Sequence, residues 1–583
     1  MLTQIKHHFY ILAILVASVL PAFSQKLTWF ETTETKDQTV KFLGEIDGHI
    51  FTLTDVYFPK DNLPDLNEGL LASSFLLEKY HKDDMSLVFS KRIVLPKVGN
   101  MDVYFGNIYL LEDQFRVFFG QFSEENNKEK LFTATIDTEG ELSSDYDKIY
   151  DIPVDKKQRR GGFQFRLSPD KSKMLIAYAT PHEIGGSKEA AYTSEVDIKI
   201  FLASNRFVEL KHITESIVFK DGEHGLSPSN STISNDGCIY LLVKKARSNK
   251  RSVFVTKSFI VHMYDPSNGF ELKQIPIEME ESPIGPVLVD TDDNGNLIGV
   301  GLYGAHERGY SKGEEFLKGS IYFKVDRAKE ELDVYARQEV GINLHEEIFG
   351  TTKANRGNKR ALQFFLPRRV YVENGRTVFL AEYAEAKREL DADNRPKDQR
   401  NFQNATVLVF DFNERGEHNW VKYIHKNQYL SSSEYPAIDP VSTGNSYRGI
   451  TESIVRNMMK PKMAGISYLS TWNNRVTYGN HPIRHHSFIS TFHDGTLSLF
   501  FHQSLENMNI PLFENMKKTT GLRKLALVGR HIPPDGTVKR TMIEKPTKES
   551  TLVHMNMAFP WSENSILVVG TRKKIKAFGI LSF

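Results

Sequence analysis

The stretch Phe165–Thr180, FRLSPDKSKMLIAYAT, places the polar residues Ser-Pro-Asp between two apolar runs. This arrangement predicts a β-hairpin, because Pro and Asp favour a tight backbone reversal and the flanking residues favour strands. The pattern recurs along the chain, mostly as Asx-Gly turns, which tolerate the positive φ angles of tight hairpins. The other copies are centred on Asp236-Gly237, Asn294-Gly295, Asn374-Gly375, Asp494-Gly495 and Glu563-Asn564.

A third strand follows each hairpin after a polar stretch. The alternation of apolar and polar residues is cleanest in VDIKIF (196–201), FIVHMYD (259–265), SIYFKVD (320–326) and TVLVFDF (406–412). A short turn and a weaker fourth strand come next. Four antiparallel strands in about 60 residues, repeated without helices, are typical of a β-propeller blade. Units of this kind cover 38–96, 101–155, 160–218, 224–278, 283–341, 358–428 and 484–543.

The last unit, residues 551–583, supplies only three strands. Its fourth strand is expected from KLTWFET (26–32), because pairing of the two termini would close the ring and remove an exposed sheet edge. We therefore predict an all-β fold in which residues 25–583 form a single closed propeller. Eight four-stranded blades are expected, with seven as the alternative. Two stacked β-sandwiches fit less well, because the repeat length stays near that of one blade.

The segment RLSPDKSKMLIAYAT resembles the WD40-like repeat of TolB-type periplasmic propellers, whose blades carry Ser-Pro-Asp-Gly before an apolar strand. Lys171 stands at the Gly position, and the other copies in this chain lack Ser-Pro. The resemblance implies a propeller located in the cell envelope. It implies no catalytic residue.

The first 24 residues have the pattern of a signal peptide. Lys6 precedes the apolar run 9–20, and PAFSQ offers small residues for cleavage after Ser24. Export to the periplasm or the extracellular space is expected, with an uncleaved N-terminal anchor as the alternative. No later segment is apolar for long enough to span a bilayer, so no transmembrane span is expected after cleavage.

Charge and cysteine content narrow the function classes further. The chain has 74 Lys and Arg against 73 Asp and Glu, a balance that does not favour a nucleic-acid partner. Cys238 is the only cysteine, which excludes an intramolecular disulfide. We expect a monomer that is stabilised by packing.

Cofactor motifs are weak. The segment DTDDNG (290–295) resembles the start of a calcium loop, with candidate ligands Asp290, Asp292 and Asn294, but Gly301 occupies the position of the closing Glu. An ordinary hairpin turn is the alternative. Five histidines between 481 and 502 could bind a transition metal or simply line a surface or channel. Apart from calcium, no cofactor is expected.

One face of the propeller should carry the binding site. The longest predicted loops, 182–193, 246–256, 305–316, a charged loop at 386–403 and an inter-blade insertion at 430–482, all lie on the face where the first strands begin. Residues just ahead of the first strands should converge around the mouth of the central channel. The candidate ligand- or partner-binding residues are Arg160, His224, Glu281, Arg360, Arg484 and His485. This mostly basic mouth would suit an anionic ligand, and a solvated rim of ordinary surface charge is the alternative.

These features predict an exported, non-catalytic scaffold that recognises a protein, peptide or glycan partner through the long-loop face and the channel mouth. The alternative is a propeller-fold glycan hydrolase or lyase that uses carboxylates on the same face. A pair of carboxylates about 5–9 Å apart in the mouth would favour hydrolysis.

Overall fold

The structure is a computed structural model, and it describes residues 25–31, 33–34, 38–55, 74–99, 103–123, 126–153, 162–179, 192–219, 223–248, 254–278, 283–306, 315–340, 365–390, 396–432, 485–510, 515–519, 524–572 and 575–583. Nearly all regular structure in these ranges is β. Short 3₁₀ helices lie at Pro266–Asn268 and Leu505–Asn507. No helix among the described residues has the length and apolar character needed to cross a bilayer. The predicted signal peptide and residues 433–482 of the predicted insertion lie outside these ranges.

The strands form eight antiparallel sheets, and within each sheet the successive strands of a blade are hydrogen-bonded neighbours. Two short N-terminal strands, β1 (Lys26–Trp29) and β2 (Thr33–Glu34), precede the first complete blade. Blade 1 contains β3 (Gln38–Ile46), β4 (His49–Asp55), β5 (Ser74–His81) and β6 (Leu87–Val94), and blade 2 contains β7 (Tyr104–Leu111), β8 (Gln114–Ser123), β9 (Lys128–Ile136) and β10 (Asp147–Pro153). Blade 3 contains β11 (Gly162–Leu167), β12 (Lys173–Ala179), β13 (Tyr192–Leu202) and β14 (Glu209–Phe219). Blade 4 contains β15 (Glu223–Ile233), β16 (Ile239–Ser248), β17 (Phe254–Tyr264) and β18 (Leu272–Glu278).

Blades 5 to 8 complete the ring. Blade 5 contains β19 (Pro283–Thr291), β20 (Leu297–His306), β21 (Glu315–Asp326) and β22 (Glu331–Glu339), and blade 6 contains β23 (Phe365–Glu373), β24 (Arg376–Leu390), β25 (Pro396–Phe412) and β26 (His418–Ile424), with β27 (Gln428–Ser432) paired to β25. Blade 7 contains β28 (Ile489–His493), β29 (Thr496–Ser504), β30 (Leu525–Ile532) and β31 (Lys539–Glu544). Blade 8 contains β32 (Leu552–Ser562), β33 (Ser565–Arg572) and β34 (Ile575–Ser582), and β1 and β2 both pair with β34.

The first strand of each blade lies nearest the axis. First strands of neighbouring blades contact one another, as β15 does with β11 and β19. The fourth strands lie outermost, and in β22 every second residue is exposed. This arrangement is the one expected for a propeller, in which the first strands surround a central channel.

The hydrophobic core is divided among the spaces between blades. Eight clusters of buried apolar residues each combine side chains from two adjacent blades, and the eighth joins blade 8 to blade 1. In the first of these clusters, the rings of Phe51 and Phe115 lie 4.9 Å apart. One cluster per interface confirms the prediction of a closed eight-bladed ring over the alternative of seven blades.

The N-terminal strand closes this ring, as predicted. β1 pairs antiparallel with β34, with Leu27 opposite Leu581. Glycine is required behind this strand, since a Cβ at Gly570 or Gly579 would lie 2.6 or 2.8 Å from atoms of the Trp29 ring. The fourth strand of blade 8 therefore comes from the opposite end of the chain to the other three.

The short turns also form as predicted. Asn374 and Gly375 both have positive φ, at 50° and 74°, and Asp494 and Gly495 follow the same pattern at 49° and 69°. Two successive positive φ angles are typical of the tight turns that join twisted antiparallel strands. The Asx-Gly signals thus mark true hairpins.

The prediction of a charged loop at 386–403 is wrong for most of that segment. β24 continues to Leu390 and β25 begins at Pro396, with the pairing extending as far as these two residues. Residues 391–395 lie outside the described ranges. Backbone pairing explains the strand, because β25 bonds β24 on one side and β26 then β27 on the other, whatever the side-chain charge.

Candidate functional site

The structure describes little of the predicted channel mouth. Four of its residues, Arg160, Glu281, Arg360 and Arg484, lie outside the described ranges. For His224 the structure gives the backbone alone, near the start of β15. His485 is fully described and is only 3% exposed. A converging ring of these residues remains a prediction.

His485 lies inside the interface between blades 7 and 8. Its Nδ1–H donates to the carbonyl of Val553 at 3.0 Å, and Nε2–H of His502 donates to the same oxygen at 3.1 Å. The ring of His554 is centred 5.2 Å from that of His485. Burial lowers the pKa of His502 to about 4, so this ring is neutral at pH 7. In the described part of the chain, no three His, Cys, Asp or Glu side chains are grouped to hold a metal ion.

The candidate calcium residues lie in a hairpin turn of blade 5. The Asp292 carboxylate accepts hydrogen bonds from the backbone N–H groups of Asn294 and Asn296, at 3.0 and 2.8 Å, and forms an ion pair with Lys324 at 3.3 Å. Asp290 accepts a bond from the N–H of Thr291, and burial raises its pKa. The Asp292 carboxylate is thus engaged by the turn itself, and calcium binding here remains a prediction.

The sequence prediction missed an inner cluster of polar side chains on the first strands, which consists of Lys41, Tyr109 and Arg166. All three side chains are half-buried. The Lys41 ammonium donates to the carbonyl of Ile108 at 3.2 Å and to Asn107 Oδ1 at 3.4 Å, and it lies 4.5 Å from the centre of the Tyr109 ring. Every one of these partners is neutral. Burial lowers the pKa of Lys41 to about 8.

Arg166 has a similar environment in blade 3. Its Nε donates to the carbonyl of Ser231 at 3.3 Å and its Nη1 to the carbonyl of Phe165 at 3.2 Å. Burial lowers its pKa as well, and the nearby Tyr109 acts in the opposite direction. Among the described residues, no carboxylate forms an ion pair with Lys41 or Arg166. Blades 1 and 3 therefore each place a cation without a counter-charge on their innermost strand.

The sequence offered only a faint signal for this cluster. Lys41 in TVKFLGEI and Arg166 in FQFRL are charged residues inside otherwise apolar first strands. Charge alone does not distinguish a side chain facing the central channel from one facing bulk solvent. The positions of neighbouring blades decide this, and they were not visible in the sequence.

A second polar group, the blade 6–7 network, has buried Glu382, Lys426 and Gln428 at its centre and half-buried Arg368 and Ser487 at its edge. It consists of Arg368, Glu382, Lys426, Gln428 and Ser487. Glu382 accepts hydrogen bonds from Lys426 at 2.6 Å, from Arg368 Nε at 2.9 Å and from the Ser487 hydroxyl at 2.8 Å. Gln428 Oε1 accepts from the Lys426 ammonium and from the Ser487 N–H, both at 2.8 Å.

This network joins the chain before residue 433 to the chain after residue 484. Gln428 opens β27, and Ser487 lies just before β28. Burial alone would raise the pKa of Glu382, but Lys426 and Arg368 outweigh it, and the pKa is lowered. The carboxylate is therefore ionised and held by two cations, which fixes the base of the predicted insertion against two blades.

No family model and no curated protein matches this chain. Similar solved structures include the β-propeller domain of the Trilobed protease from Pyrococcus furiosus, at 10% identity and a TM-score of 0.26, covering 69% of this chain and 95% of that one. The WD40 domain of SCAP from fission yeast is 9% identical, with a TM-score of 0.29 and coverage of 97% and 96%. The GH93 alpha-L-arabinofuranosidase of Fusarium graminearum, in complex with arabinobiose, is 9% identical, with a TM-score of 0.28 and coverage of 61% and 92%. Likeness this low carries no argument about this chain, and the assignment of an eight-bladed β-propeller follows from its own sheets.

Proposed function

We propose that this protein is an exported, non-catalytic scaffold that binds a protein, peptide or glycan partner through the face carrying the long hairpins. The observation behind this proposal is that, in three consecutive blades, the second and third strands stay paired beyond the end of their pairing with the fourth strand. The predicted signal peptide and the resemblance to TolB-type repeats support a location in the cell envelope.

The extension is visible in the strand pairing. In blade 6, β25 pairs with β26 as far as Val407 and with β27 as far as Arg400, whereas β24 and β25 stay paired as far as Leu390 and Pro396. In blade 4 the pairing of β16 with β17 reaches Ser248 and Phe254, beyond the last β17–β18 pair at Ser258. Blade 5 repeats this arrangement, with His306 opposite Glu315. The three hairpins belong to adjacent blades and project on the same side, so they offer a continuous surface to a partner.

The opposite face is closed by contacts between blades. There, Arg327 bonds both Asp236 and Asp265, and the Tyr240 hydroxyl donates to the Gly295 carbonyl at 2.6 Å. Short turns whose polar groups already bond one another leave fewer groups available to a partner. This asymmetry favours the long-hairpin face as the binding surface.

Shortening the three hairpins tests the proposal. Asn-Gly would replace residues 249–253, 307–314 and 389–399, joining pairs that already face each other: Ser248 with Phe254, His306 with Glu315 and Arg388 with Arg400. We expect residues 25–583 with these changes to fold, because a two-residue turn suits an antiparallel pair. Partners should be cross-linked in cells, identified by quantitative mass spectrometry and confirmed with purified components.

The matched control alters exposed turn residues on the opposite face, Arg415→Ala with Glu563→Ala. A partner of the hairpin face should lose about tenfold or more in affinity for the shortened variant and none for the control. Equal capture by the wild type and the shortened variant would contradict the proposed surface. Release of sugars from a bound glycan by the purified protein would instead favour the hydrolase alternative.

A further inference from the structure

The inner cluster lies away from the long hairpins. First strands begin on the long-hairpin face and end at the short turns of the opposite face. Arg166 is the penultimate residue of β11, and Tyr109 lies two residues before the end of β7. Their half-buried side chains are on the innermost strands, so we attribute their exposure to the central channel. Tyr109 and Arg166 therefore lie nearer the short turns, and Lys41, the fourth of nine residues in β3, reaches the Tyr109 ring from the middle of its strand.

The three side chains are linked to one another across the blades. The Lys41 ammonium is in contact with the face of the Tyr109 ring. The Tyr109 ring is also centred 6.2 Å from that of Phe165, the neighbour of Arg166. Donors from blades 1, 2 and 3 thus lie along one side of the channel.

Among the residues that the structure describes, no carboxylate compensates either cation of this cluster. Elsewhere in the described chain, the buried carboxylates of Glu78 and Glu382 are paired with Lys576 and Lys426, at 2.8 and 2.6 Å. The buried guanidinium groups of Arg116 and Arg530, in contrast, donate only to neutral carbonyl and amide oxygens of described residues. A desolvated cation that meets only neutral carbonyl, amide and ring groups lacks the partner that would offset the loss of hydration. Lys41 and Arg166 also keep donor capacity, because each ammonium or guanidinium has more N–H groups than it has acceptors here.

We propose that Lys41, Tyr109 and Arg166 form a binding site for a small oxyanion in the central channel. The ammonium and guanidinium would supply charge-assisted hydrogen bonds, and the Tyr109 hydroxyl a neutral donor. The chemistry recognised is a phosphate, sulfate or carboxylate group, whether free or carried by a larger molecule. This site is separate from the partner-binding surface proposed above.

The test uses residues 25–583 and isothermal titration calorimetry with sodium phosphate, sodium sulfate and sodium acetate at constant ionic strength. The wild type should bind at least one of these anions saturably. Lys41→Met and Arg166→Met should each weaken that binding by about tenfold or more, because each removes a charge-assisted bond. A preference for phosphate or sulfate would indicate that the site recognises a tetrahedral oxyanion, and a preference for acetate that it recognises a carboxylate.

Lys211→Met is the matched control. Lys211 is also a cation without a described carboxylate partner. It lies 5.3 Å from the Phe270 ring and donates to a backbone carbonyl at 3.4 Å, but it is on the outer strand β14. This variant should bind the anion as the wild type does.

Two results would overturn the proposal: the absence of saturable binding with all three anions up to about 50 mM, or an equal loss of affinity in Lys211→Met. Thermal unfolding gives a second readout, since an anion that binds only the native state raises the Tm of the wild type and not that of Lys41→Met. Should Lys41→Met not fold, Lys41→Gln takes its place in both measurements.

Discussion

Lys41 and Glu382 are both charged side chains withdrawn from bulk water, and their surroundings act on them in opposite ways. Glu382 meets two cations and a hydroxyl, and its ionised form is favoured. Lys41 meets only neutral groups, and its ionised form is disfavoured. In the first arrangement, groups of the protein itself compensate the charge, so the arrangement stabilises the fold. The second gains stability when an anion arrives, which is why we place a ligand there.

We expect Glu382→Gln to lower the free energy of unfolding by about 3–5 kcal/mol at pH 7, because it removes the carboxylate that compensates the fully buried Lys426 ammonium. The control is Glu45→Gln, which removes the partner of Lys82 at 2.7 Å in a pair that is about one-third exposed, and should cost no more than about 1 kcal/mol. Urea unfolding of the two variants measures both effects. Similar losses of unfolding free energy in the two variants would show that the blade 6–7 network stabilises the protein no more than a partly exposed ion pair does.

The same substitution has a pH signature. Because the folded-state pKa of Glu382 is below its unfolded value, ionised Glu382 stabilises the protein fully above about pH 4.3, and this contribution is lost as the pH falls through the folded-state pKa. The difference in unfolding free energy between wild type and Glu382→Gln should therefore shrink from pH 6 towards pH 3. A difference that is constant with pH would contradict the ion-pair explanation.

At the scale of elements, the Asx-Gly residues predicted where the hairpins turn, but they did not predict how far the paired strands extend. Asx-Gly pairs identified the short turns because positive φ is a local requirement of the backbone. Residues 386–403 were predicted as a loop from their charge, yet 386–390 continue β24 and 396–403 belong to β25, since strand pairing depends on the neighbouring backbone rather than on polarity. The inner cluster escaped prediction for a related reason. Whether Lys41 and Arg166 face the channel depends on blades distant in sequence.

Removing β1 tests the closure of the ring. Deleting residues 25–31 should lower Tm by several degrees, since β34 would lose β1 as its outer neighbour and the Trp29 ring would no longer cover Gly570 and Gly579. The control is Lys26→Ala with Thr28→Ala, which changes two exposed residues of the same strand and keeps the backbone pairing. An unchanged Tm in the deletion would mean that the pairing contributes nothing to stability.

At the scale of the whole molecule, each blade shares its apolar surface with two neighbours. Every interface between neighbouring blades has its own cluster of buried apolar residues, and the closure between blades 8 and 1 adds a buried ion pair. The number of blades could be counted from the sequence because every blade repeats the same turn and strand pattern. The binding partner could not be identified from the sequence, because most of the predicted mouth residues lie between the repeated strands.

We expect this shared packing to make the molecule unfold as one unit. Limited proteolysis of residues 25–583 should give either nicked full-length assemblies or small peptides, because half a ring would expose two apolar blade faces. Calorimetry should show one main transition. Isolation of a stable fragment of about four blades, or two well-separated transitions, would contradict this expectation.

The pairing of Leu27 with Leu581 also has a consequence for the time course of folding. β1 is synthesised long before β34 exists, so its hydrogen-bonding groups have no native partner until almost the whole chain has emerged. Contacts with such a large separation in sequence form slowly, because the entropy of loop closure opposes them until the intervening blades have assembled. Until then β1 and the edge of blade 8 are exposed to proteases and to other nascent chains. We therefore expect this protein to depend on chaperones during its biogenesis more than its native stability would suggest.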